Sequence, residues 1–106
     1  MTKINGSDAM LKVIYDWGID HIYGFPGGSF DSSMNAIYDF RDKMKFIEVR
    51  HEEAGALAAS SEYKVTGKLG VCFGSAGPGA AHLFNGLYDA KFGKTPMLAI
   101  VANGPT

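Results

Sequence analysis

The chain has 106 residues, 46% of them hydrophobic and 20% charged, with a net charge of -1. That is the make-up of one soluble globular domain with a modest core, and the near-zero charge supplies no basic field for nucleic acid or an anionic membrane. The single cysteine, Cys72, excludes an internal disulfide. Set in the apolar run LGVCF, it reads as a small buried hydrophobe rather than a nucleophile. No stretch has the form of a signal peptide or the length to span a bilayer, so a cytoplasmic location is expected.

In chain order, the pattern first predicts a helix over 8–17, capped by Ser7 and ended by Gly18. Its apolar positions Met10, Leu11, Ile14, Tyr15 and Trp17 follow helical spacing. HIYGF (21–25) is a short strand. GGSFDSSMNAIYDF then reads as a loop and a helix, with Ser29 or Asp31 as cap and Met34, Ile37 and Tyr38 on the inner stripe. KFIEV (45–49) is the second strand. EEAGALAASSEYKVT (52–66) is the next helix, stopped by Gly67. LGVCF (69–73) is the third strand, and PGAAHLFNGLYDAK (78–91) reads as one helix with Pro78 in its first turn. PMLAIVA (96–102) is the fourth strand.

Apolar strands alternating with helices predict an α/β fold, a parallel sheet with helices on both faces. In such a sheet every strand-to-helix loop emerges at one edge. GFPGGS, RHEE, GSAGPG and ANGPT must therefore gather at the carboxyl ends of the strands, where open α/β sheets bind their ligands.

The chain has fourteen glycines, against a usual share of about 7%, and half of them fall in those loops. Neither glycine loop has the G-x-G-x-x-G of a dinucleotide fold or the Gly-Lys-Ser/Thr of a P-loop. They serve tight turns, or let backbone approach a bulky ligand. Glu52 and Glu53 both lie in a first helical turn, where the helix dipole stabilises a carboxylate. The alanines at 54, 56, 58 and 59, with Gly55, point to tight apolar packing at that helix start. A carboxyl held there has a raised pKa unless a partner offsets the burial, which suits acid-base chemistry. His51 reads as a polar edge residue, His82 as a core histidine bonded to backbone, and His21 carries no signal. The three histidines lack metal-ligand spacing, so no metal site is expected. GSAGPG differs from a nucleophile elbow, which leaves Ser75 a hydrogen-bonding role. The aromatics Tyr15, Trp17, Tyr23, Phe25 and Phe84 are expected to pack in the core.

Taken together, YGFPGGS, VRHEEAGALAA and GVCFGSAGPGAAHLFNGLYDA resemble the opening of the thiamine-diphosphate-dependent enzymes that act on 2-keto acids, and among these the bacterial pyruvate oxidases most. The resemblance implies that residues 1–106 are a partial N-terminal pyrimidine-binding domain. By motif, Glu52 is the acid that hydrogen-bonds the ring nitrogen of the cofactor's aminopyrimidine and favours its imino form. Pro26, Gly27, Ser75, Gly77 and Asn85 are implied neighbours of the cofactor. The family's Gly-Asp-Gly motif, which holds diphosphate and magnesium, is absent from the chain. The resemblance therefore places magnesium and FAD on pyrophosphate-binding and flavin domains outside it. The implied reaction is the oxidative decarboxylation of pyruvate with phosphate and oxygen to acetyl phosphate, carbon dioxide and hydrogen peroxide. It implies a homo-oligomer with active sites between subunits, and a 106-residue chain that is inactive alone. Acetolactate synthase or another keto-acid decarboxylase is the alternative enzyme, and a non-catalytic assembly module the alternative of another class.

Overall fold

Residues 3–28 and 31–104 are described by a computed structural model. Four parallel strands, β1 (His21–Gly24), β2 (Lys45–Glu48), β3 (Gly70–Gly74) and β4 (Met97–Val101), form one sheet in the order β2-β1-β3-β4. Five helices connect them: α1 (Gly6–Asp16), α2 (Asp31–Asp39), α3 (Glu52–Thr66), α4 (Pro78–His82) and α5 (Phe84–Phe92). The predicted alternation and parallel sheet are the observed ones.

The two sheet faces carry separate cores. Leu11 and Ile14 of α1 and Ala36 and Ile37 of α2 meet Ile22, Val71 and Phe73 on one face. Ala56 and Ala59 of α3 meet Cys72 and Leu83 on the other. Side chains alternate across a strand, so neighbours Val71 and Cys72 serve opposite cores, and β3 is buried along its whole length. Cys72 is fully buried, which pushes its thiol pKa up to about 12 and leaves it without nucleophilic character.

Several local expectations give way to packing. Asn5, not Ser7, caps α1. Its side-chain oxygen accepts from the Asp8 N–H at 2.9 Å, and its own N–H donates to the Asp8 carboxylate at 3.1 Å. This reciprocal pair satisfies two donors at the helix start, whereas Ser7 lies inside the first turn beside Ser32 and Ser33. For α2, the candidate cap Ser29 lies outside the described residues. Ala36 and Ile37 fill its inner face, while Tyr38 turns out under the Arg41 guanidinium, 4.1 Å from the ring centre. Tyr15, Trp17, Phe25 and Phe84 are exposed rather than core residues, and Tyr23 is half-buried. The stripe of α1 facing the sheet is filled by Leu11 and Ile14, and Tyr15 instead packs edge-on against Phe40. The single helix expected over 78–91 is two, because the Leu83 N–H bonds to the Ala80 carbonyl and the ladder tightens there.

The alanine run of α3 has a packing explanation. A Cβ on Gly70 would collide with the Ala59 carbonyl, and one on Gly86 with Ala56. Glycine facing alanine lets α3 lie almost backbone to backbone against β3 and α5. The predicted stop at Gly67 also holds, since this residue takes the left-handed conformation (φ 76°) and its N–H closes on the Tyr63 carbonyl.

At the opposite end of β1 from the carboxyl edge, His21 ties strand to helix. Its Nδ1 bonds the Asp20 carboxylate at 2.7 Å and its Nε2 the Glu62 carboxylate of α3 at 2.6 Å. Both ring nitrogens can donate only in the imidazolium form. Burial opposes that charge, but the hydrogen bonds and charges of Asp20 and Glu62 outweigh it, and the His21 pKa is raised. A raised folded-state value stabilises the fold fully below the unfolded pKa, about 6.5, and the gain is lost as pH rises through the folded value. Thermal melts should therefore lose stability as pH rises above about 6.5, and His21→Gln should flatten that slope. An unchanged slope in the variant would assign the pH dependence elsewhere.

Candidate functional site

Glu52 begins α3 at the carboxyl end of β2. The strand stops at Glu48, and His51, in extended backbone, caps the helix by accepting the Glu53 N–H on its Nδ1 at 3.1 Å. Because Glu52 is the first residue of the helix, its side chain turns back over the sheet edge, and only 9% of the residue is exposed. Glu53, one residue on, is more open.

The buried carboxylate has a definite partner. The His82 Nδ1–H donates to Glu52 Oε2 at 2.8 Å. His82 is not the backbone-bonded core residue expected; its side chain is 44% exposed, and it approaches Glu52 from the end of α4. Its ring stacks on His51, centroids 4.2 Å apart and 28° between planes. Burial by itself would push the Glu52 carboxyl up. The His82 hydrogen bond, backbone hydrogen bonding and the histidine charges win, so its pKa is lowered and the side chain is held as a carboxylate.

The glycine loops meet at the same edge. A Cβ on Gly79 would lie 3.2 Å from Glu52 Oε1 and 3.2 Å from the Ser75 Cβ, and one on Gly27 would lie 2.5 Å from the Ser75 hydroxyl oxygen. Gly27, Ser75, Gly79 and Glu52 therefore form a continuous series linking the loops after β1, β3 and β2. Gly77 has φ 67° and ψ -119°, a conformation side chains rarely adopt, and it turns the chain into Pro78 at the start of α4. Pro26 is exposed beside Gly27. Asn85 is exposed on α5, and among the described residues no hydrogen bond joins it to Glu52.

Sequence reasoning missed the part played by His82 and by His51 as a helix cap. A usable signal was present: His82 lies in the first turns after GSAGPG, and a helix start at this edge faces the same space as the loops. His51, Glu52 and His82 also bring one possible metal-ligand atom each to within 4.8 Å of one another, although no two histidines have ligand spacing in the chain.

The family described as thiamine pyrophosphate enzyme, N-terminal TPP binding domain, matches residues 4–106. The chain belongs to it. Among relatives of this TPP-binding domain, the pyruvate oxidase of Lactiplantibacillus plantarum is 55% identical over 100 residues, covering 94% of this chain and 17% of that protein. The acetolactate synthase large subunit of Parasynechococcus marenigrum is 38% identical over 104 residues, covering 96% of this chain and 17% of its own length. That of Pyropia yezoensis is 40% identical over 97 residues, covering 90% and 16%. The chain thus spans about a sixth of the length of these relatives. No described helix is long and apolar enough to cross a membrane.

Proposed function

We propose that this chain is the N-terminal, pyrimidine-binding portion of a pyruvate-oxidase-like enzyme that converts pyruvate, phosphate and oxygen to acetyl phosphate, carbon dioxide and hydrogen peroxide. The observation that carries the reading is Glu52: a buried carboxylate at the sheet edge, oriented by His82 and lying against glycine rather than a side chain. These residues fit an aminopyrimidine. The carboxylate is an acceptor with a fixed direction, and Gly77, with nothing within 4 Å of where its Cβ would be, leaves backbone open to a flat ring. Bound thiamine diphosphate supplies the electron sink that takes up the electrons released when a 2-keto acid loses carbon dioxide.

In this reading Glu52 shares a proton with the pyrimidine ring nitrogen. His82 holds the carboxylate in position, and the packing around Glu52 keeps water from competing for that proton. Ser75, Gly77, Gly27 and Pro26 line the approach, and Asn85 is a more distant neighbour. Magnesium, the diphosphate and FAD are assigned to domains outside these residues, and the active site to an interface between subunits of a homo-oligomer. The higher identity to the pyruvate oxidase than to the acetolactate synthases favours the oxidase reaction.

The test is the full-length enzyme carrying this chain, supplied with pyruvate, thiamine diphosphate, magnesium and FAD. Acetyl phosphate formed in step with oxygen uptake, and only with phosphate present, is the expected result. Acetolactate formed without oxygen uptake would place the enzyme with the synthases. The 106-residue chain alone, in the same mixture, is expected to form no acetyl phosphate; turnover by it would refute the division of the cofactor between domains.

A further inference from the structure

We propose that Asn103 is a site of spontaneous covalent modification, at which the side-chain amide is lost and an aspartate or isoaspartate takes its place. The chain holds three Asn–Gly pairs, at 5–6, 85–86 and 103–104. They are chemically alike, because glycine puts no side chain in the way of its own nitrogen. The fold treats them differently. Asn5 caps α1, and its side-chain oxygen is held on the Asp8 N–H at 2.9 Å, away from Gly6. Asn85 lies within α5, where each Cα–Cβ bond tilts toward the helix start while the following nitrogen lies toward its end. Gly86 is buried there against Ala56 of α3. Asn103, by contrast, follows β4 in irregular, exposed chain, and its Oδ1 accepts the Gly104 N–H at 2.9 Å. The side chain is thus folded back onto the nitrogen that must attack it. Gly104 is exposed as well, with nothing within 4 Å of where a Cβ would stand. Among the described residues, the Ala102 N–H, on the Gly74 carbonyl at 3.3 Å, is the last backbone donor tied to the sheet.

Water is the only other reactant. The Gly104 nitrogen gives its proton to hydroxide and bonds to Cγ of Asn103, the Cγ–Nδ2 bond breaks, and ammonia leaves with a proton taken from water. The product is a five-membered cyclic imide. Water then adds to one of its two carbonyls. Opening at Cγ gives aspartate, and opening at the main-chain carbonyl gives isoaspartate, whose main chain runs through Cβ. Nothing is oxidised or reduced. Because the attacking nitrogen must lose its proton, the rate rises with pH. Either product adds one negative charge to the chain's net -1. It does so at the carboxyl end of β4, on the sheet edge where the strand-to-helix loops gather.

The 106-residue chain, kept for days in mildly alkaline buffer and then digested for mass spectrometry, should show the amide-to-acid mass change at Asn103. The change there should run at least about tenfold faster than at Asn85, whose cyclisation waits on the opening of α5. Asn5 should fall between the two, since its cap is one exposed hydrogen bond. In denaturant the three rates should converge, because the folded backbone and not the dipeptide separates them. Gly104→Ala places its methyl in open space, so the fold is kept, and the added bulk beside the nitrogen should slow the reaction at Asn103 severalfold. An Asn103 that stays intact, folded-state loss as fast at Asn5 or Asn85, a ranking that persists in denaturant, or an unchanged rate in Gly104→Ala would overturn the proposal.

Discussion

Glu52→Gln in the full-length enzyme is expected to slow proton exchange at the reactive carbon of thiamine diphosphate by about 10²–10⁴-fold, the usual contribution of a positioned acid-base group. The substitution is nearly isosteric. Its amide oxygen can still accept the His82 Nδ1–H, so the junction between β2 and α3 keeps its shape. What disappears is the ability to share a proton. Stability should consequently change little beside the exchange rate, and the two can be measured on the same sample by thermal melting and by deuterium exchange followed with NMR. Glu53→Gln is the control, because Glu53 is more exposed and its carboxylate has no part in the His82 bond. A large loss in that variant, with Glu52→Gln near normal, would mean the wrong acid has been assigned.

Gly70→Ala should be the most damaging single-methyl change in the fold. The new Cβ would strike the Ala59 carbonyl, its carbon and its Cα, all backbone atoms of α3 that cannot rotate away. Helix and strand must separate, and that opens the core around Ala56, Ala59 and Cys72. Overpacking of this kind costs about 3 kcal/mol, and at roughly 4–8 °C per kcal/mol for a domain of this size the melting temperature should fall about 12–24 °C. Gly6→Ala, in open space at the start of α1, should leave stability unchanged or slightly raised. A fall of only a degree or two for Gly70→Ala would show that α3 and β3 do not approach as closely as described.

The alanines after RHEE raise the question of what comes close to Glu52 and Glu53. The answer is first the protein itself: β3 and α5 pack against the small residues of α3 through Gly70 and Gly86. That tight seating fixes the start of α3, and with it Glu52, against the sheet edge. In the proposed function, the precision of the acid follows from helix packing several residues away.

Much of this was legible along the chain. The alternation of apolar strands and helices, the span of α3 from Glu52 to its stop at Gly67, and the gathering of glycine loops at one edge all follow from local pattern plus the parallel rule. Local pattern failed where two options were close in energy. Asn5 prevailed over Ser7 because it could pair reciprocally with Asp8. The helix after Pro78 broke at Leu83, where the backbone tightened to an i−3 bond. Tyr15 and Trp17 had helical spacing but lay off the stripe that Leu11 and Ile14 fill.

By itself, then, the amino-acid order determined the fold class, the edge where the strand-to-helix loops gather and the candidate acid, because each depends on periodicity, turn chemistry and motif within short windows. Only the tertiary structure decided that His82 meets Glu52 across 30 residues, that His51 stacks on it, and that the carboxyl is held charged rather than neutral. Those outcomes turn on angles at which α4 and α3 rest on β3. Such angles come from the packing of glycine against alanine in three dimensions, for which sequence spacing has no counterpart.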